Sequence, residues 1–146
     1  MSNPDTNPAV EPLIRPVALD HAVLRVADIE RSLSFYVDVL GCTAVRVEEW
    51  RRGEAPFPSV RVADASIIDL VALAPGETHA DASRQRLDHL CIAVAPSDLA
   101  ALATTLRDAG VAVDGEPTGR FGARGVGDSL YIADPDGLGI ELKTYG

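Results

Sequence analysis

The tripeptide Leu-Asp-His occurs twice in the chain, at the start of LDHAVLRV (Leu19–Val26) and at the start of LDHLCIAV (Leu87–Val94). Each copy opens an apolar run with the alternating pattern of a β-strand. The chain has 146 residues and three histidines, and two of those histidines occupy the same place in the two copies. The repeat constrains the fold strongly, because each copy is expected to form the same structural unit.

The similarity between the two halves continues past the histidines. After the first copy, DIERSLSFYVDVLG predicts a helix that begins at the N-cap Asp28 and ends at Gly41. After the second copy, PSDLAALATTLRDAG predicts a helix that is capped by Ser97 and ends at Gly110. Each helix is followed by short β-like runs, which are TAVRVEE, SVRVA and SIIDLVAL in the first half and VAV, DSLYIA and GIELKTY in the second. This order predicts an α+β fold of two βαβββ modules.

The module boundaries follow from the composition of the connecting segments. Module one is expected at about 17–74 and module two at about 87–146, with the polar stretch PGETHADASRQR at 75–86 as the linker. Residues 1–16 contain four prolines among polar residues, which favours extended and poorly ordered chain. The sequence therefore predicts a proline-rich tail followed by one domain over 17–146.

Charge and hydropathy exclude several classes of partner. The formal net charge of −9 disfavours binding to nucleic acid or to anionic membranes, because phosphate groups would be repelled. No apolar stretch reaches the length of a membrane span, and the first residues lack the basic start and apolar run of a signal peptide. These features predict a soluble, cytoplasmic protein.

Side-chain alternation in the repeated strands places candidate metal ligands on one face. His21 and Arg25 share a face away from the helix, and His89 has the equivalent position in the second half. The last strands of the two halves carry equivalent acids, Asp69 and Glu141. If the modules face each other about a pseudo-twofold axis, these imidazoles and carboxylates converge. Such a set suits a divalent ion such as Zn²⁺, Ni²⁺, Fe²⁺ or Mn²⁺.

The metal interpretation has an alternative. A single histidine in a strand is more often a hydrogen-bonded core or surface residue than a ligand, but two equivalent histidines matched by two equivalent acids favour a metal site. Asp69 has a shorter side chain than Glu and could face water instead. Asp20 and Asp88 precede the histidines and point to the other face, so neither is expected to be a histidine partner. His79, in the linker, is expected to be solvated.

A glycine-rich segment, TGRFGARGVGDS, lies between short strands of the second half. It holds four of the chain's twelve glycines, which predicts a mobile backbone that is free to adopt positive φ. Arg120 and Arg124 are its candidate anion-binding groups, because arginine suits a planar carboxylate or phosphonate. The alternative is a solvated hairpin loop whose arginines offset nearby acids.

The stretches LDHAVLRVADIERSLSFYVDVLG and DSLYIADPDGLGIEL closely resemble the vicinal oxygen chelate superfamily, which includes glyoxalase I, fosfomycin-resistance proteins, extradiol dioxygenases and bleomycin-binding proteins. The resemblance covers roughly 19–145. It implies a cup-shaped mixed β-sheet, a homodimer, and a metal that chelates two neighbouring oxygens of a small-molecule substrate. The implied ligands are His21, His89 and Glu141, with Asp69 at the place where glyoxalase I has a glutamate.

The resemblance also suggests a reaction. Arg25 occupies the place of an arginine that in glyoxalase I helps to hold the glutathione carboxylate, which favours a metal-dependent lyase or isomerase of the glyoxalase type. Glu141 or a metal-bound water would then move the proton. Extradiol dioxygenase chemistry, a fosfomycin-type thiol transferase and a metal-free binding protein for a small molecule such as an antibiotic remain alternatives.

Overall fold

The computed structural model describes residues 19–79, 87 and 89–146. The proline-rich tail at 1–16 and the linker residues 80–86 lie outside the described residues. The strands are β1 (His21–Val26), β2 (Thr43–Val45), β3 (Ser59–Ala63), β4 (Ser66–Ala72), β5 (His89–Ala93), β6 (Val113–Gly122), β7 (Gly125–Ala133) and β8 (Gly139–Thr144). The helices are α1 (Ile29–Leu33), which continues as a π-helical segment (Ser34–Val39), α2 (Val47–Arg51) and α3 (Leu99–Asp108).

The strands form two four-stranded sheets of identical topology. Their orders are β1-β4-β3-β2 and β5-β8-β7-β6. In each sheet the first and last strands pair in parallel, and the other pairs are antiparallel. The predicted α+β fold of two βαβββ modules is confirmed, with α2 as an addition to the first module. None of the helices in the described residues is long and apolar enough to cross a membrane.

One hydrophobic core serves both sheets. Leu24 and Val26 of β1 lie in the same buried cluster as Leu130 of β7 and Ile140 of β8. Helix α1 and its π-helical extension contribute further buried residues, among them Tyr36. The alternating burial along β1, in which Leu24 and Val26 are buried and their neighbours exposed, confirms the predicted assignment of its two faces.

Helix boundaries follow the predicted signals in the first module and differ by one residue in the second. The Asp28 side chain accepts a hydrogen bond from a first-turn N–H of α1, and Gly41 has the positive φ of a helix stop, +74°. The prediction that Ser97 caps α3 is wrong. The Asp98 carboxylate accepts the N–H of Ala101 at 3.0 Å, because Asp98 directly precedes the helix and reaches its third residue.

The run TAVRVEE does not remain a strand along its whole length. β2 ends at Val45, Arg46 adopts the left-handed conformation with φ 56°, and α2 begins at Val47. Val47 and Trp50 are spaced by three residues, so both reach the core from one side of the short helix, where they are partly buried. Tertiary packing therefore outweighs the strand preference of a valine-rich run.

The glycine-rich segment forms a β-hairpin rather than an irregular loop. The paired positions run from Thr118 opposite Ser129 to Gly122 opposite Gly125, with a two-residue turn between them. A Cβ atom at Gly127 would lie 2.5 Å from a backbone oxygen of β8. The glycine there permits a close approach of two strands instead of mobility.

Candidate metal centre

Strand register places the candidate ligands equivalently in the two sheets. In the second sheet Cys91 lies opposite Glu141, so His89 and Glu141 share a face at an offset of two residues. His21 and Asp69 have the same offset in the first sheet. The repeat therefore produces two similar histidine–carboxylate pairs, whose contacts then differ.

In the second sheet the two side chains are in direct contact, and we call them the closed pair. The Nε2 atom of His89 lies 3.0 Å from Oε2 of Glu141, and Glu141 is only 5% exposed. The other carboxylate oxygen, Oε1, is buried and has no hydrogen-bond partner among the described residues, although Nζ of Lys143 lies 3.5 Å from it. Burial raises the pKa of the Glu141 carboxyl, but polar contact with Ser129 and the charge of Lys143 outweigh burial and leave the pKa below its ordinary value.

Lys143 is a further residue of the site that the search for metal ligands missed. It is 2% exposed, and its Nζ donates hydrogen bonds to the backbone oxygen of Arg120 at 2.7 Å and to Oγ of Ser129 at 2.8 Å. The signal was present in the sequence, because Lys143 lies two residues after Glu141 on the same strand and therefore on the same face.

In the first sheet the two side chains, His21 and Asp69, each contact a different partner instead of each other. The Nδ1 atom of exposed His21 lies 2.8 Å from Oδ2 of Asp20, and this hydrogen bond raises the pKa of His21. The expectation that Asp20 is no partner of the histidine is wrong, since Asp20 precedes β1 and its side chain can turn back. Asp88 lies outside the described residues. Asp69 is buried, and its Oδ1 accepts a hydrogen bond of 2.6 Å from Oγ of Ser59 on β3.

The two pairs do not meet within one chain. Across the described ranges 19–79, 87 and 89–146, no three His, Cys, Asp or Glu side chains come together closely enough to hold a metal ion. His89 and Glu141 are in contact, whereas His21 and Asp69 have other partners. The buried Oε1 atom and the adjacent imidazole fit two ligand positions of a divalent ion, so a complete centre needs donors from elsewhere.

The three candidate substrate-binding arginines are all engaged near the surface. Arg25 forms an ion pair with Glu77. The guanidinium group of Arg124 lies 4.3 Å from the centre of the Tyr145 ring. A guanidinium nitrogen of Arg120 donates to the carbonyl of the preceding residue at 3.1 Å. All three side chains belong to exposed residues.

His79 is exposed, as the sequence suggested, but its ring also has a protein partner. Its Nε2 lies 3.1 Å from Oδ1 of Asp136, which also accepts the backbone N–H of Ala27 at 2.9 Å. The exposed linker histidine therefore also contacts the turn before β8, where Asp136 offers a largely buried carboxylate.

A cavity adjoins the closed pair. It has a volume of about 480 Å³ and is lined by His89, Tyr131 and residues at the start of β6 and β8. The ring of His89 meets the Tyr131 ring edge-on, with 5.8 Å between their centres. A small molecule in this cavity would lie directly against the imidazole.

The sequence profile of the Glyoxalase/Bleomycin resistance protein/Dioxygenase superfamily matches residues 18–142. A virulence protein of Salmonella typhimurium is 30% identical over 130 residues, which cover 87% of this chain and 83% of that protein. A probable lactoylglutathione lyase of Vibrio cholerae is 30% identical over 123 residues, covering 84% and 86% respectively. The structure of an integron cassette protein from the mobile metagenome of V. cholerae superposes with a TM-score of 0.69 at 32% identity, covering 92% of this chain and 99% of that chain. The chain therefore belongs to the Glyoxalase/Bleomycin resistance protein/Dioxygenase superfamily.

Proposed function

We propose that the protein is a divalent-metal-dependent enzyme with lyase or isomerase chemistry of the glyoxalase I type. The observation that carries the proposal is the buried His89–Glu141 pair, in which one carboxylate oxygen has no hydrogen-bond partner among the described residues. A buried carboxylate oxygen in this state is costly, and a bound cation would relieve that cost. The 30% identity to a probable lactoylglutathione lyase supports the choice of reaction.

The proposed ligands are His89 and Glu141 of one chain with His21 of a second copy, and Asp69 of that copy as a fourth position. A homodimer supplies what one chain does not bring together. The outer face of β1 suits such a contact, because Val23 on that face is 52% exposed and Leu19 just before the strand is 80% exposed.

A bound divalent ion would act as a Lewis acid on the vicinal oxygens of the substrate. Glu141 would take a proton from the carbon beside the substrate carbonyl and return it to the neighbouring carbon. The pKa of Glu141 lies below its ordinary value, so its carboxyl is ionised at neutral pH, as a general base must be. Arg25 would hold an anionic end of the substrate once its ion pair with Glu77 opens.

A second candidate function is metal-free binding of a small molecule. The observation in its favour is Lys143, whose ammonium group lies 3.5 Å from Oε1 of Glu141 and offsets its charge without an ion. The cavity beside His89 and Tyr131 would then be the binding site. Metal content distinguishes the two candidates.

The first prediction concerns that metal content. His89→Ala and Glu141→Gln should each lower the metal bound by untagged protein by about tenfold or more, because the loss of one ligand leaves an incomplete set that holds a divalent ion weakly. His79→Ala is the matched control, since His79 is the one histidine of the chain that is not a proposed ligand. Equilibrium dialysis with Zn²⁺, Ni²⁺, Fe²⁺ and Mn²⁺ followed by elemental analysis gives the measurement.

The same proteins should be assayed for turnover of methylglyoxal with several thiols, with and without metal. Metal-dependent loss of the thiol adduct in wild type and in His79→Ala, but not in Glu141→Gln, is the expected result. Ring cleavage of a catechol in place of adduct turnover would assign the protein to dioxygenase chemistry. Equal metal content in wild type and His89→Ala would refute the site.

A further inference from the structure

We infer that Lys143 is the resident counter-cation of the candidate metal centre, which balances Glu141 in the metal-free protein and thereby weakens the binding of a divalent ion. The inference rests on the proposed metal site. Lys143 is the only lysine in the 146-residue sequence, and it is buried. Lysine is almost never fully buried unless it is paired, so its place beside Glu141 needs a partner of opposite charge.

The surroundings of the ammonium group identify that partner. Its Nζ donates hydrogen bonds to the backbone oxygen of Arg120 at 2.7 Å, to Oγ of Ser129 at 2.8 Å and to the backbone oxygen of Gly127 at 3.5 Å. All three acceptors are neutral. The carboxylate oxygen Oε1 of Glu141, at 3.5 Å, is the negative charge in contact with it. Glu141 in turn is affected electrostatically by Lys143 and by His89. Lys143 therefore supplies a buried positive charge at the pair.

The two oxygens of Glu141 face different partners. Oε2 faces Nε2 of His89 at 3.0 Å, and Oε1 faces Nζ of Lys143 at 3.5 Å. An ion bound between His89 and the Glu141 carboxylate would therefore share that carboxylate with an ammonium group of the same sign. The two cations repel each other and compete for one negative charge, which lowers the affinity of the site for the ion.

Lys143 cannot avoid this competition by moving away. Its side chain passes beneath the β6–β7 hairpin, where a Cβ atom added at Gly122 would lie 2.8 Å from Cε of Lys143. Its hydrogen bond to Arg120 O fastens the ammonium group to the same hairpin. The charge is therefore a fixed part of the site.

Substitution of the lysine tests the inference. Lys143→Met keeps the unbranched stem and removes the charge, so the dissociation constant for Zn²⁺ in equilibrium dialysis should fall at least about tenfold. Arg107→Met is the matched control, because it removes one positive charge from an exposed position on α3 and should leave the constant within about twofold. An unchanged or weaker affinity in Lys143→Met would overturn the inference.

A second measurement does not depend on metal. Urea denaturation of the metal-free single variants Lys143→Met and Glu141→Gln and of the double variant forms a double-mutant cycle. Lys143→Met should lower the unfolding midpoint, and adding Glu141→Gln should raise it again, since no buried charge is then left alone. If Lys143→Met does not fold but the double variant does, that result would support the pairing of Lys143 with Glu141 equally. Strictly additive midpoints would contradict it.

The two measurements separate this inference from the proposed function. If neither wild type nor Lys143→Met binds any of the ions, the proposed metal function fails, and the cycle alone decides the role of Lys143. If Lys143→Met binds an ion and wild type does not, the inference holds and the wild-type protein acts without metal.

Discussion

At the scale of single residues, Tyr36 links the two modules through one hydrogen bond. Its side chain is completely buried, and its hydroxyl donates to Oδ2 of Asp134, on the turn before β8, at 2.7 Å. Its ring also meets Phe35 edge-on with 5.1 Å between the ring centres. The hydroxyl therefore satisfies a buried carboxylate of the other module, and its removal leaves that carboxylate with one donor fewer.

The second prediction follows from the ionisation of this hydroxyl. Burial, and next the Asp134 carboxylate, raise the pKa of Tyr36 far above its ordinary value of 10.0. Because the folded-state pKa lies above the unfolded one, the stability due to the neutral hydroxyl is complete below pH 10 and is lost as the pH rises beyond it. Tyr36→Phe should lower the free energy of unfolding by about 1–3 kcal/mol near neutral pH.

The same substitution should make the alkaline decline in stability shallower, because one tyrosine that ionises only in the unfolded state has been removed. Urea denaturation near neutral pH and above pH 10 compares the two proteins. Parallel declines in wild type and Tyr36→Phe would show that Tyr36 ionises equally in both states.

At the scale of elements, the β6–β7 hairpin depends on close contact with β8. The third prediction is that Gly127→Ala lowers the free energy of unfolding by about 2 kcal/mol or more, because the new Cβ has no room and overpacking forces strands apart. The obstacle is a backbone oxygen, that of Thr144 at 2.5 Å, which cannot rotate away. Urea denaturation gives the value.

Gly119→Ala is the matched control in the same strand pair. A Cβ at Gly119 would meet a Val126 methyl group at 3.6 Å, which is an ordinary contact. This variant should stay within about 1 kcal/mol of wild type. Equal losses in the two variants would show that the separation of β7 and β8 adjusts freely.

The elements show where sequence reasoning works and where it stops. Alternation identified the two faces of β1, and Asp28 and Gly41 marked the ends of the first helical segment, because these signals act over neighbouring residues. The same local rules assigned the glycine-rich segment to a loop, although Gly127 serves a contact with β8 that is distant in sequence. They likewise could not show Arg46 turning the chain from strand to helix.

In the candidate site, too, the sequence predicts one part of the arrangement and not the other. The repeat predicts that His89 and Glu141 share a face, and the structure shows them in contact. It predicts the same for His21 and Asp69, but side-chain rotation gives each of them a nearer partner. Which neighbour a side chain chooses depends on three-dimensional packing, and the repeat contains no information about it.

At the scale of the whole molecule, the separation of the two ligand pairs leads to a fourth prediction. If His21 of one copy completes the centre of another, mixing His21→Ala with His89→Ala after co-refolding should restore metal binding. Half of randomly mixed dimers pair the two variants, and each has one intact site of two, so about a quarter of the wild-type content should return. Each variant alone should bind less metal than wild type by about tenfold or more.

The comparison needs no activity assay. Elemental analysis of the mixed protein, beside sedimentation of the wild type to establish a dimer, gives the result. A dimer whose mixed variants recover no metal would place the complete centre within one chain.

The burial of Lys143 has a practical consequence. An endoprotease that cuts only after lysine finds a single target bond in the sequence, between Lys143 and Thr144 near the end of β8. Both residues are buried in the central part of the second sheet, so the folded chain does not present that bond to the enzyme. Cleavage then requires β8 to leave the sheet, and its rate reports the population of that opened form when reclosing is fast. Cleavage at this single site therefore measures how often β8 separates from the second sheet.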